Sequence, residues 1–216
     1  MNSAGYELLK LADVPVSGPS HLDLDWPAQL RATRFTHPKD REEFIAGRLA
    51  ALHFAASLLD VDSARLSPDY RCPQCGPGQD HGRPGFLLDG GRAPLVLSAS
   101  RASGWVLLAG VVSPRPGLRL GVDLEATNRT GFEGFDDVAL TEGEKRFLAS
   151  VAEEQQAVHR TRLWARKEAW LKMTGEGLRR NPADVDVLDL PGLSDVTSID
   201  ENRKLPDGLV AALASG

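Results

Sequence analysis

Apolar residues spaced three and four apart, at Ile45, Leu49, Leu52, Ala56 and Leu59, predict a helix over residues 38–59. Pro38 suits its first position, and Asp40, Glu42 and Glu43 place acid in its first turn. The pattern then dissolves over residues 67–94. There Cys72-Pro73-Gln74-Cys75-Gly76-Pro77-Gly78 and Gly82-Arg83-Pro84-Gly85 predict a long loop. Apolar runs predict strands over 94–100 and 105–112, joined by a turn at Ala102-Ser103-Gly104. After a Pro- and Gly-rich link at 113–117 come a strand at 118–125, helices at 141–151 and 155–174, and strands at 185–190 and 208–214. Each half thus offers a long helix and extended segments, dividing the chain into residues 1–112 and 113–216. Gly47-Arg48-Leu49-Ala50 and Ala165-Arg166-Lys167-Glu168 fall at comparable points of the two long helices, a faint echo of duplication.

Composition narrows the class. The 216 residues are 42% hydrophobic and 25% charged, the proportions of a globular protein, which excludes collagenous, coiled-coil and low-complexity readings. Lys and Arg number 25 against 30 Asp and Glu, a net charge of −5 that argues against a general nucleic-acid binder. The opening residues show neither the basic start nor the apolar run of an export signal, and no stretch approaches the ~18 apolar residues of a membrane span. With only two cysteines, spaced Cys-x-x-Cys, a cytoplasmic protein without membrane partners is expected.

The candidate chemistry starts on the 118–125 strand. Leu118, Leu120, Val122 and Leu124 share one face, so Arg119, Gly121, Asp123 and Glu125 share the other. Two carboxylates about 4 Å apart repel by about 4 kcal/mol at a surface-like dielectric, and a divalent cation relieves that. Oxygen ligands without histidine favour Mg²⁺, or Mn²⁺, over zinc. Solvated acids at a strand end remain the alternative. On the later helix, Glu168 and Lys172 lie one turn apart beside Trp164 and Leu171, and Gly175 and Gly177 close the helix. Taken alone, that pair reads as a surface ion pair.

Together, Gly121-x-Asp123-x-Glu125 and Trp164-x-x-Lys167-Glu168-Ala169-x-x-Lys172-x-x-Gly175-x-Gly177-Leu178 resemble the paired signature of 4′-phosphopantetheinyl transferases. Gly82-Arg83-Pro84 resembles the family's Gly-Lys-Pro turn, Ser98-Ala99-Ser100 stands where the family has Ser-His-Ser, and Asp40-Arg41 with Gly47-Arg48 resembles its N-terminal basic region. The length resembles the surfactin-type subgroup. The resemblance implies an α+β fold in which two similar α/β halves form an intramolecular pseudo-dimer, with the cofactor between them and a monomer as the working unit.

It also implies transfer of the phosphopantetheine arm of coenzyme A to a serine of an acyl or peptidyl carrier protein, releasing 3′,5′-adenosine bisphosphate. Asp123, Glu125 and Glu168 would hold Mg²⁺ on the pyrophosphate, with Asp123 also facing the cofactor. Lys172 would assist the leaving group, and Glu168 is a candidate base for the serine proton. Arg41, Arg48 and Arg83 are candidates for the phosphates of coenzyme A, with Ser98 beside them. Ala99 replaces a frequent histidine, which predicts weaker cofactor binding or compensation by Arg101. Glu144 matches an acid near the family's active site, although Thr141-Glu142-Gly143-Glu144 also fits a helix capping box. Residues 126–139, with Phe132 and Phe135, are candidates for carrier docking or for core packing. A catalytically weakened coenzyme A-binding module and a metal-dependent phosphohydrolase are the alternative functions.

Cys72, Cys75 and His81 have two readings. They match three zinc ligands without an apparent fourth, and the cysteines equally fit two reduced thiols in a turn.

Overall fold

The computed structural model describes residues 5–16, 26–72, 74–77 and 81–216, so residues 1–4, Pro73 and Gly78 of the sequence reading lie outside the described set. The chain is mixed α and β and divides into two compact units, Met1–Leu118 and Arg119–Gly216.

The first unit runs β1 (Gly5–Lys10), α1 (Trp26–Ala32) and α2 (Pro38–Leu59), then β2 (Leu66–Pro68), β3 (Arg71–Cys72), β4 (Gly76–Pro77), β5 (Phe86–Leu88) and β6 (Gly91–Arg92), and closes with β7 (Leu95–Ala102) and β8 (Trp105–Val112). Helix α2 begins at Pro38 as predicted and ends where Asp60 turns into the left-handed region at φ 54°. It buries more than the predicted stripe. Phe44, Ile45 and Leu49 pack with Ala28 and Ala32 of α1, while Ala46, Ala50, Leu52, Phe54 and Ala55 pack with Leu97, Val106 and Leu108 of the sheet. That sheet is antiparallel in the order β1-β8-β7.

The second unit contains β9 (Leu120–Ala126), α3 (Phe135–Ala139), α4 (Glu142–Ala149), α5 (Glu153–Thr174), β10 (Leu193–Asp195) and β11 (Leu209–Ser215). Its antiparallel sheet has the order β10-β11-β9. Ala165, Ala169 and Met173 of α5 pack with Val210, Ala212 and Ala214 of β11. Both units therefore follow one path of strand, long helix, strand, strand, with the last strand in the middle of the sheet. The register repeats as well: Gly5 and Glu7 face Gly110 and Leu108, and Gly121 and Asp123 face Ala214 and Ala212.

Three expectations need correction. Residues 67–94 are not an irregular loop. Leu66↔Leu88, Ser67↔Leu87 and Pro68↔Phe86 pair, Asp69 N–H bonds the Gly85 carbonyl, and Arg71 exchanges two backbone bonds with Arg83, which makes one antiparallel arm of constant register. Gly and Pro mark its turns and do not abolish its pairing. Residues 185–190 form no strand. Arg166 donates to the Val187 and Leu188 carbonyls, Lys167 to the Val185 carbonyl, and Glu144 accepts the Val187 N–H, so helix side chains satisfy backbone groups that a ladder would otherwise need. Strand β1 was not expected at all, although Gly5-Tyr6-Glu7-Leu8 parallels Gly121-Val122-Asp123-Leu124. Among the described residues, no helix is long and apolar enough to cross a membrane.

Candidate active site

Strand β9 and helix α5 approach most closely at Gly121. A Cβ there would lie 2.5 Å from the Met173 nitrogen and closer still to the Ala169 carbonyl, so only glycine lets the helix settle this near. The predicted polar face of β9 is thereby roofed, and Leu120 through Leu124 are all buried. Glu168 and Lys172, one turn apart around Ala169, are carried to the next residues on that face, Asp123 and Glu125. Gly175, at φ 78°, ends α5 just beyond Lys172 and returns its N–H to the Leu171 carbonyl.

Lys172 Nζ donates to Asp123 Oδ1 at 2.6 Å and to the Val122 carbonyl at 3.2 Å. Asp123 is only 3% exposed, whereas the Lys172 side chain keeps 32% of its surface open. Glu125 Oε1 accepts the Trp164 indole N–H at 3.3 Å. Burial pushes the Glu125 carboxyl up and the Asp123 charge adds to this, while Trp164, Lys172 and Arg129 oppose it. Glu168 is also pushed up, by burial first; Lys172 opposes the shift and Asp123 reinforces it. Asp123, Glu125, Glu168 and Lys172 therefore share one electrostatic field, with three carboxylates facing one ammonium.

Such a donor set, all oxygen and in excess of negative charge, fits a hard divalent cation. The three carboxylates are not gathered as tightly as a closed cage, because Lys172 lies on Asp123. Among the described residues, the one group of three metal-type side chains with all ligand atoms within 4.8 Å is Cys72, Cys75 and His81.

Residues 119–207 match the sequence model of the 4′-phosphopantetheinyl transferase superfamily. The matched stretch contains every residue of the β9–α5 constellation. The chain is also similar to the 4′-phosphopantetheinyl transferase HetI of Nostoc sp. (strain PCC 7120 / SAG 25.82 / UTEX 2576), 28% identical over 151 residues, which cover 69% of this chain and 59% of that protein. The chain thus spans less than two thirds of the length of this curated relative.

Within the matched stretch, Glu144 is enclosed. Its side chain and that of Lys167 are both 0% exposed and lie 2.7 Å apart. Glu144 Oε2 also accepts the Thr141 N–H at 2.8 Å, completing the capping box of α4, and Oε1 accepts the Val187 N–H at 2.9 Å. Lys167 Nζ donates further to the Pro182 carbonyl at 2.8 Å and to Val185. Burial pushes the Lys167 ammonium down, and Glu144 opposes that. With both oxygens engaged and no surface open, Glu144 completes the capping box that the sequence predicted. Lys167 was the partner not foreseen; an apolar setting for a lysine in mid-helix leaves no signal in spacing alone.

In the first unit, the Arg48 guanidinium stacks 3.6 Å from the Tyr70 ring centre and 5.2 Å from that of Phe44. Arg31 and Arg101 face the same Phe44 ring at 5.4 and 5.9 Å. Burial, then the charges of Arg48 and Arg31, push the Arg101 guanidinium down. Three mutually repelling cations held on aromatic faces offer a place for an anion. Arg31 was not singled out from sequence, and its aromatic partner Phe44 was the available signal. Arg41 is exposed two turns before Arg48 on α2, and Arg83 is exposed on the arm, its backbone paired with Arg71. Ser98 is buried in β7, and Ala99 is half-buried and packs against the core of the unit.

Proposed function

We propose that this chain transfers the 4′-phosphopantetheine arm of coenzyme A to a serine of an acyl or peptidyl carrier protein. The convergence of Asp123, Glu125, Glu168 and Lys172 through the Gly121 contact carries the proposal, and the superfamily match over 119–207 supports it. Asp123, Glu125 and Glu168 would hold Mg²⁺ or Mn²⁺, which when bound neutralises negative charge on the pyrophosphate. Glu168 is also the proposed base for the serine proton, a role that competes with metal ligation. The serine oxygen then bonds to the phosphorus bearing the pantetheine arm, the bond from that phosphorus to adenosine bisphosphate breaks, and 3′,5′-adenosine bisphosphate leaves. Lys172, held beside Asp123, would place a positive charge next to that departure. Arg41, Arg48, Arg83 and Ser98 are the proposed phosphate contacts for coenzyme A, to which the aromatic-backed cluster adds Arg31 and Arg101.

The shared strand–helix–strand–strand path and register of the two units support the surfactin-type subgroup, in which one chain carries a duplicated plan and acts as a monomer.

Incubation with coenzyme A, Mg²⁺ and a panel of apo carrier proteins tests the reading, with a mass gain of one phosphopantetheine on the carrier serine as the expected result. Coenzyme A binding without any gain would instead support a binding module, and hydrolysis without carrier would support a phosphohydrolase. Asp123→Ala and Glu168→Ala are expected to abolish transfer with the circular dichroism spectrum unchanged; near-normal rates in either variant would sink the metal assignment.

A further inference from the structure

The arm of the first unit carries a second constellation, which the transfer chemistry does not use. Its strands hold constant register from Leu66↔Leu88 to Arg71↔Arg83, and β3 pairs on its other edge with β4 through Cys72↔Gly76. Cys72 therefore lies between two neighbouring segments. Gly82 allows this, since a Cβ there would lie 2.7 Å from the Cys72 nitrogen, and His81 is the residue next to it. The β3–β4 turn brings Cys75 back to Cys72. The result is two thiols and an imidazole whose ligand atoms all lie within 4.8 Å of one another.

Three features distinguish this from two cysteines that merely share a turn. The backbone N–H groups of Gln74 and Cys75 point at the Cys72 sulfur, and the Cys75 and His81 side chains also bond to it. N–H donors aimed at a sulfur stabilise thiolate, which is the metal-binding form. The spacing is nearly right: bonds of about 2.3 Å to sulfur and 2.0 Å to nitrogen in a tetrahedron put ligand atoms about 3.5–3.8 Å apart, so small side-chain rotations within 4.8 Å close the site. Lastly, from Arg71 to Arg83 the arm buries no hydrophobic side chain among the described residues, so it lacks a core of its own to hold the tip.

We propose that Cys72, Cys75 and His81 bind a zinc ion, with solvent or an exchangeable ligand in the fourth position. Two thiolates and an imidazole favour zinc over the hard cations suited to the β9–α5 site. Binding displaces the two thiol protons, and the ion then clamps the tip of the arm and holds the backbone of Arg83 through its bridge to Arg71. The proposal stands apart from transferase activity, because its readouts are metal content and spectroscopy.

The full chain, produced with zinc supplied and purified under reductant without chelator, is expected to contain about one zinc per chain by mass spectrometry. The Cys72→Ser/Cys75→Ser variant is expected to lose it. Replacement by Co²⁺ is expected to give tetrahedral visible bands and a thiolate-to-metal charge-transfer band, a readout on the parent protein that remains decisive if the double variant misfolds. His81→Asn is expected to weaken zinc binding by at least about 100-fold, because losing a direct ligand costs no less than the roughly 10–100-fold lost with a hydrogen-bond partner of a ligand. The proposal is overturned if the parent protein holds less than about a tenth of an equivalent and takes up none on addition, if a Cys72–Cys75 disulfide forms despite supplied zinc and reductant, or if His81→Asn binds zinc as tightly as the parent.

Discussion

At the scale of single residues, the two acids Glu144 and Glu168 differ in surroundings: Glu144 is fully buried, whereas Glu168 is half-buried. Glu168 meets a field of like charge from Asp123 with one ammonium opposing it, while Glu144 faces Lys167 in a fully enclosed pair with two backbone N–H groups. Breaking one side of such a pair leaves a buried charge without compensation. Glu144→Gln is therefore expected to destabilise the protein by about 3–5 kcal/mol, measured by denaturant unfolding. Glu144→Met combined with Lys167→Met is expected to recover part of that, since both charges leave together. If Glu144→Gln unfolds like the parent but loses transfer, the scaffold assignment is wrong. The capping box was legible from Thr141 and Glu144; the lysine beneath it was not, because sequence spacing shows which residues share a helix face and not what that face meets.

At the scale of elements, the β9–α5 contact decides the site. The alternation along β9 puts Asp123 and Glu125 on one face, and the four-residue spacing puts Glu168 and Lys172 one turn apart on α5. Neither pattern contains the distance between strand and helix, which Gly121 sets. Gly121→Ala is expected to cost about 1–3 kcal/mol through overpacking, and to lower transfer much further, because α5 must move and take Glu168 and Lys172 away from Asp123. A thermal melt beside a carrier-loading assay checks both, and an Ala variant with parental activity would remove Gly121 from the account. The same lesson applies at residues 185–190. Their alternating Val185 and Val187 read as a strand, yet Arg166, Lys167 and Glu144 satisfied the backbone from outside the segment.

For the whole molecule, charge and topology tell complementary stories. Residues 1–118 hold 12 basic and 12 acidic side chains, whereas residues 119–216 hold 13 basic and 18 acidic, so the net −5 lies in the second unit, with the proposed metal ligands. Mg²⁺ at about ten times its dissociation constant is expected to stabilise the protein by about 1.4 kcal/mol, and Glu168→Gln is expected to remove that gain. Equal stabilisation of parent and variant would place the ion elsewhere. The units share a path and a register, yet differ in chemistry: Gly5-x-Glu7 of β1 parallels Gly121-x-Asp123, and Leu9 stands where β9 has Glu125. The first unit also carries the 66–88 arm between its helix and β7, and there the soft ligands gather.

The sequence by itself determined the long helices, most central strands, the acid and lysine pairs and the family they resemble, because these rest on local periodicity and on spacing within one element. Tertiary structure decided the rest. It brought β9 to α5 at Gly121, enclosed Glu144 with Lys167, grouped Arg31, Arg48 and Arg101 on Phe44, and folded a Gly- and Pro-rich stretch into an arm that places His81 beside two thiols. Each of these depends on groups far apart in the chain meeting across elements, where burial and close approach set their partners.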